Sequence, residues 1–528
     1  MQLATLAPVT DSGVTLLILA LAVIAFISGR VPTGIVAIGV SLALLATRII
    51  DLPQAFAGFA DPAVILIAAL FVVAEGLDSS GLTSWTGQQL VRRGGSPRAL
   101  TALVMLVVGI LSALISVNGA VAALLPVVVV IAARSAITPS RLLLPLAFGA
   151  HSGALLTLTG SPVNVLASEF AAEAGGGPFG FFSFAVAGIP LVIGSIVIVV
   201  FFGHRLVPER TPATLPRDLS AQAGVLLRDY PSIEGGGRPV IEAEDGVAEV
   251  MVPPRSAFID EHVFPGMLTD SGDLVILAIK RDGEELEGDV SLRAGDLLLL
   301  RGRWDALETR LPDPAVVVVD DPDAVRRQAA PLGWRAWTAL GILVAMVIAL
   351  ATGIVPPAVA GLVAAVAMVL SRVVPVERAH RSISWTTLLL VAGMIPLSTA
   401  ITQTGTADLI AQGLVDLVGG LGPLAILAAL CVVALVFGQL ISNTATALIL
   451  LPIAVSVAGE LSLSPLPFIM AVAVVSAAAL LTPVATPANL MVQAPSGLRF
   501  GDYWKLGLPL MLFYLAVALV IVPLVWPF

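Results

Sequence analysis

Apolar runs long enough to cross a bilayer constrain this chain more than any other feature. Six precede a polar centre, at 13–29, 31–50, 62–79, 99–133, 141–171 and 183–203. Six follow it, at 336–352, 356–371, 386–403, 423–458, 466–494 and 506–526. A hydrocarbon core about 30 Å thick takes roughly 20 apolar residues in a helix, and lipid admits only segments whose backbone groups bond internally. The expected fold class is an all-α polytopic membrane protein. Only 12% of residues are charged and the mean hydropathy is +1.01, against about a quarter charged in soluble proteins. No Lys or Arg and no small-residue cleavage site precede the first run, so no signal peptide is expected. The single cysteine, Cys431, lies inside an apolar run, which excludes an internal disulfide and argues against a metal cluster.

Charge concentrates in the centre. Residues 204–335 hold 15 of the 27 Lys and Arg and 24 of the 36 Asp and Glu, so the net charge of −9 resides there. The organisation expected is membrane repeat 1 over 1–203, a cytoplasmic insert over 204–335 and membrane repeat 2 over 336–528. Prolines mark the insert's ends (Pro208, Pro212, Pro216; Pro312, Pro314, Pro322), and its acidic balance argues against nucleic acid as a partner. Within 247–311 the runs AEVMVPP, LVILAIKRDGEEL and DLLLLRG predict short strands. Asp282-Gly283 marks a hairpin and 304–311 a closing helix. Gly235–Gly237 follow no strand and read as linker.

The fourth and fifth runs of each half are too long for one span, and their polar interruptions match. ISVNGAVAALLPV (115–127) aligns with ISNTATALILLPI (441–453), pairing Ser116 with Ser442 and Pro126 with Pro452. LTGSPVN (158–164) aligns with PVATPAN (483–489), pairing Pro162 with Pro487 and Asn164 with Asn489. Close helix packing alone accounts for small residues, but not for two motifs recurring in order. If each fourth run is a re-entrant hairpin, each half crosses five times, and the odd number inverts the second copy.

Loop charge supports this. With residue 1 outside, the inside receives Arg30, Arg92, Arg93, Arg98, Arg134, Arg141, Arg372, Arg378, Arg381, Arg499 and Lys505, and the outside only Arg48. Loops 172–182, 353–355, 404–422 and 459–465 carry no Lys or Arg and fall outside. A bacterial inner-membrane location is expected, with both termini outside, the insert cytoplasmic and lipid around the helices.

The four breaks are expected to meet at a midplane cavity, because irregular backbone survives in a membrane only where it lines one. Helix N-termini there suit an anion; carbonyls and hydroxyls suit a dehydrated Na⁺. No Lys or Arg lies mid-membrane in any run to do this work instead. His151, nine residues before Gly160, is a candidate for proton linkage; a neutral His bonded to a neighbouring helix reads equally well. Glu75 and Asp78 read as solvated at a helix end.

The Ser442-Asn443-Thr444 tip and the Ala485-Thr486-Pro487 break resemble the signature motifs of the divalent-anion:sodium symporters, across about 1–203 and 330–528. The resemblance implies a homodimer that works by an elevator motion and takes up a small divalent anion, sulfate or a dicarboxylate, with Na⁺ as coupling ion. It implies one sodium site at Ser112, Ser116, Asn118 and Gly160, and a second at Ser442, Asn443 and Ala485. It implies substrate contacts from Asn118, Ser161, Pro162, Asn443, Thr444, Thr486 and Pro487. The first tip departs from the family pattern, reading Ser116-Val117-Asn118, and Gly438 stands where its counterpart Ser112 has a hydroxyl. Stoichiometry and anion stay open on that account. So does a second reading, a proton-coupled antiporter or exporter of the arsenite or Na⁺/H⁺ type.

The insert's pattern over 247–311 resembles the TrkA-C regulatory domain of potassium-uptake and channel systems. That implies a small regulatory ligand; a passive cap or dimer contact is the alternative. A channel is disfavoured without a T-V-G-Y-G filter, and an enzyme without H-E-x-x-H or G-x-S-x-G. No organic cofactor is expected.

Overall fold

The computed structural model describes residues 11–82, 85, 96–135, 137–210, 212, 228–230, 241–242, 245–320, 325, 333–483 and 485–528. Arg92, Arg93, Pro216, Gly235–Gly237 and Pro322, used above, lie outside the described residues, as does the start of the chain before Asp11. The chain divides into two compact units. One comprises Met1–Gly76, Leu90–Leu215 and Leu340–Phe528; the other comprises Leu77–Gln89 and Pro216–Ala339.

The first unit is helical. Its first-half helices are α1 (Asp11–Ser28), α2 (Thr33–Ala46), the short α3 (Leu52–Ala57), α4 (Pro62–Ser79), α5 (Pro97–Leu114), α6 (Val117–Arg134), α7 (Ser140–Gly153), α8 (Pro162–Glu173) and α9 (Ala185–Leu206). The insert carries a short helix, α10 (Trp304–Arg310). The second half then brings α11 (Trp334–Thr352), α12 (Pro357–Leu370), the short α13 (Val376–Ser382), α14 (Trp385–Gln403), α15 (Thr406–Val418), α16 (Pro423–Leu440), α17 (Asn443–Glu460), α18 (Leu466–Ser476), α19 (Pro487–Ser496) and α20 (Trp504–Val525). Among the described residues nine helical stretches are long and apolar enough to cross a membrane, and four apolar helices are shorter. One expectation is corrected here. The sequence predicts a loop over 404–422, but 406–418 form α15. Its polar Asp408, Gln412 and Asp416 recur every four residues on one face, which kept the segment from registering as an apolar run.

The two halves pack through each other. Gly34 and Gly393 let α2 and α14 cross closely: a Cβ on Gly393 would lie 2.7 Å from the Ala37 carbonyl carbon. In the reciprocal pair, Gly361 of α12 meets Leu66 and Gly76 of α4 meets Met368. Without a hydrophobic drive between helices in lipid, such small-residue contacts supply the packing energy.

The second unit holds a five-stranded sheet in the order β4-β3-β6-β1-β7. Its strands are β1 (Asp245–Met251), β3 (Leu274–Arg281), β4 (Glu284–Leu286), β6 (Leu297–Arg303) and β7 (Val317–Val318), while β2 (His262–Val263) and β5 (Val290–Ser291) pair separately. β6 runs antiparallel to both β1 and β3, with Val250 opposite Leu298 and Ile279 also opposite Leu298. Asp282 and Gly283 both take positive φ, 53° and 91°, and turn β3 into β4. Ile279, Leu299, Trp304 and Leu307 are buried in one core with Tyr230. Buried Asp296 accepts 2.7 Å bonds from Arg281 Nε and Nη2 and from the Arg293 N–H. Burial alone would raise its carboxyl; the Arg281 guanidinium and the Arg293 N–H outweigh that and hold it below the usual range.

Candidate functional site

Four helices begin at the breaks, and each is capped by a hydroxyl that the break supplies. Ser116 accepts from Gly119 N at 3.2 Å to start α6, and Ser161 from Val163 N at 3.2 Å to start α8. Ser442 accepts from Ala445 N at 3.2 Å to start α17, and Thr486 from Asn489 N at 3.3 Å to start α19. Pro162 and Pro487 occupy the first helical position, where proline's fixed φ suits the turn and its missing N–H costs nothing. Helix α8 packs on α17 and α18, and α19 packs on α6 and α7, so each half's restarted helix is lodged in the other half.

The carbonyls that α7 and α18 leave behind are gathered by one asparagine per half. Asn164 Nδ2 donates to Ala154 O at 2.9 Å and Thr157 O at 2.8 Å. Asn489 Nδ2 donates to Ala479 O at 2.9 Å and Thr482 O at 3.1 Å. Both asparagines are fully buried. The last helix of each half then presses a glycine onto the same strip of backbone. A Cβ on Gly188 of α9 would lie 2.1 Å from Leu155 O, and one on Gly507 of α20 would lie 2.2 Å from Leu480 O. These two asparagines are the residues that the sequence left out of the candidate site. The signal was present, since Asn164 and Asn489 align, but nothing in their spacing says which carbonyls they reach.

The symmetry fails at His151. Its Nε2 lies 3.2 Å from Thr486 Oγ1 and 3.3 Å from Asn489 Oδ1, and the side chain is buried. An amide oxygen only accepts, so Nε2 carries the proton toward Asn489 and fixes that amide's orientation. The matching position is Ser476, too short for the same reach. Ser476 Oγ and Asn164 Oδ1 are both buried without a hydrogen-bond partner, as are Asn443 Oδ1, Thr446 Oγ1 and Thr482 Oγ1. Unpaired oxygens of this kind are costly unless something fills them, and neutral oxygens are the donor set a small hard cation takes.

The remaining candidates divide. Ser112 Oγ donates to Ala150 O at 2.8 Å, tying α5 to α7. Gly160 sits against Ala154, where a Cβ would come within 2.2 Å of its oxygen. Ser116, Ser161, Pro162, Ser442, Asn443 and Thr444 are half-buried, Ala485 and Thr486 buried, and Asn118 and Pro487 exposed. On the second side Gln439 does what two threonines do on the first. It donates to Ala478 O at 3.0 Å and accepts from Leu481 N at 2.9 Å, whereas Thr157 and Thr159 both donate to Ala113 O. Among the described residues no cluster of three or more His, Cys, Asp or Glu could hold a metal ion. The chemistry on offer is neutral: helix N-terminal N–H groups for an anion, and hydroxyl and carbonyl oxygens for a cation.

The citrate transporter family (CitMHS) matches residues 23–462 and 422–528. The uncharacterized transporter YfbS of Escherichia coli K12 is 32% identical over 97% of this chain and 98% of its own. Shorter matches join a probable sodium/sulfate cotransporter 3 of Chlamydomonas reinhardtii, 26% identical over 46% of this chain and 28% of that one. They also join the sodium-dependent dicarboxylate transporter SdcS of Staphylococcus saprophyticus, 30% identical over 21% of each. The crystal structure of the YdaH transporter of Alcanivorax borkumensis shares the fold at a TM-score of 0.51 and 16% identity, covering 97% of both chains.

Proposed function

This chain belongs to the citrate transporter family, and from that premise we propose that it is a secondary active transporter taking up a small multivalent anion, sulfate or a di- or tricarboxylate such as succinate or citrate, with sodium. The observation that carries the reading is the set of four hydroxyl-capped helix starts at matched breaks in the two halves. They offer positive dipole ends to an anion in segments without a Lys or Arg. Substrate then rests on Thr444, Asn443, Thr486 and Pro487 from one half and on Ser161, Pro162 and Asn118 from the other. One sodium lies at Ser442, Asn443 and Ala485, the other at Ser112, Ser116, Asn118 and Gly160. The sodium/sulfate and dicarboxylate relatives support the coupling ion.

The halves are read as inverted repeats, each of five crossings and one re-entrant hairpin, α5–α6 and α16–α17. In this reading the transporter is a homodimer in the bacterial inner membrane that moves its site by an elevator motion. The 204–335 insert faces the cytoplasm as a TrkA-C-like regulatory domain. His151, joined to Thr486 and Asn489, supports a second reading, a proton-coupled antiporter or exporter of the arsenite or Na⁺/H⁺ type.

Radiolabelled sulfate, succinate and citrate uptake into proteoliposomes, under imposed sodium or pH gradients, separates the two. Accumulation driven by sodium supports the first reading. Accumulation that follows the pH gradient and ignores sodium overturns it in favour of the second.

A further inference from the structure

Away from the broken helices, a cleft of about 250 Å³ opens where the first turns of α5 and α7 meet the end of α9 and the irregular segment that leaves it. Its floor is the buried aliphatic face of α9, at Val199 and Val207. Its walls bring Arg98, Arg141 and His204 together with the hydroxyls of Thr101 and Thr138. One carboxylate is present: Glu209 pairs with Arg141 Nη2 at 2.7 Å. The same Nη2 donates to His204 O at 3.3 Å. On that same edge of the fork Arg141 Nε is buried with no partner, and so is Thr138 Oγ1.

A guanidinium with an unsatisfied Nε, a second guanidinium lining the same cleft and the unpartnered Thr138 hydroxyl suit an anion with several oxygens set tetrahedrally. Glu209 supplies only a planar, single-sided substitute, and at 59% side-chain exposure it is free to swing out. We propose that this cleft binds a phosphate group, held by Arg98, Arg141 and His204, with Thr138 donating and Glu209 displaced. The group comes either from an anionic lipid headgroup or from a soluble phosphate, since the chemistry of recognition is the same. The site is independent of the transport site: none of its residues belongs to the breaks.

The test uses the full-length protein in detergent. Its apparent melting temperature is followed against inorganic phosphate, and separately against a short-chain phosphatidylglycerol, each compared with chloride at equal ionic strength. A ligand that binds only the folded state raises the midpoint with concentration. The expected result is a rise in the wild type that Thr444→Ala retains. Arg98→Gln, at an exposed position, should need roughly tenfold more ligand, as loss of a charge-assisted bond implies. Glu209→Gln should need less, because the resident competitor is gone. A rise with the lipid alone assigns the site to a headgroup, and a rise with both assigns it to phosphate from either source. Equal rises in wild type and Arg98→Gln, no rise beyond chloride with either ligand, or loss of the rise in Thr444→Ala overturns the proposal. Arg141→Gln gives a second reading of the same outcome should Arg98→Gln express poorly.

Discussion

Replacing Asn489 with alanine tests how the second break is held. The side chain is fully buried, and its Nδ2 satisfies Ala479 O and Thr482 O at 2.9 and 3.1 Å, while Oδ1 receives His151 Nε2. Truncation strands two buried carbonyls and leaves the His151 ring N–H with Thr486 Oγ1 as its one remaining acceptor. An unsatisfied buried group costs about 1–3 kcal/mol, and measured polar contacts between membrane helices fall near the low end. The three together give ~2–4 kcal/mol. Asn164→Ala strands Ala154 O, leaves Thr157 O with the 3.4 Å bond from Gly160 N and touches no histidine, so it should cost about 1 kcal/mol less than Asn489→Ala. Reversible unfolding in mixed detergent micelles measures both. A double cycle with His151→Ala isolates the extra contact, expected at roughly 0.5–1 kcal/mol of coupling. Equal losses for the two asparagines, with no coupling to His151, would refute the account of broken symmetry.

Other consequences are as specific. Thr444→Ala should abolish anion uptake while leaving the protein folded in detergent; wild-type rates would remove the second tip from the substrate site. In a Cys431-free background, Pro178→Cys and Ile354→Cys should react with an impermeant maleimide from outside and Glu377→Cys should not; the reverse pattern inverts the topology. In the insert, Asp296→Asn should cost about 2 kcal/mol, because the charge-assisted bonds that the buried carboxylate accepts from half-buried Arg281 are lost. The Asp296 carboxyl is held below its unfolded value of about 3.9. Its stabilisation is therefore complete above that value and is lost as pH falls through the folded one. Acid titration of the full chain should show a loss below about pH 4 that Asp296→Asn lacks.

Much of this was legible in the residues because membranes leave few options. The helices restart at the hydroxyls that interrupt the apolar runs, Ser116, Ser161, Ser442 and Thr486, whereas α7 and α18 already stop at Gly153 and Ser476. The insert's hairpin stands at Asp282-Gly283, where two positive φ angles are needed. What stayed hidden depends on tertiary reach. No local pattern says that Asn164 spans ten residues back to Ala154, or that Gln439 replaces Thr157 and Thr159. Ser112 carried an expected sodium-ligand role, and its hydroxyl is bonded to Ala150 O. β2, β5 and β7 are two residues each and carry no periodicity to read.

The central claim is that one anion and sodium share a site built by the broken helices of both halves. Coupling between two ligands is reciprocal, so the direct measurement runs the transporter on its substrate. Proteoliposomes given an inward gradient of sulfate, succinate or citrate, with sodium equal on both sides, should accumulate radioactive sodium against its own gradient, and Thr444→Ala should not. Sodium that moves without regard to the anion, or identically in the variant, contradicts the account.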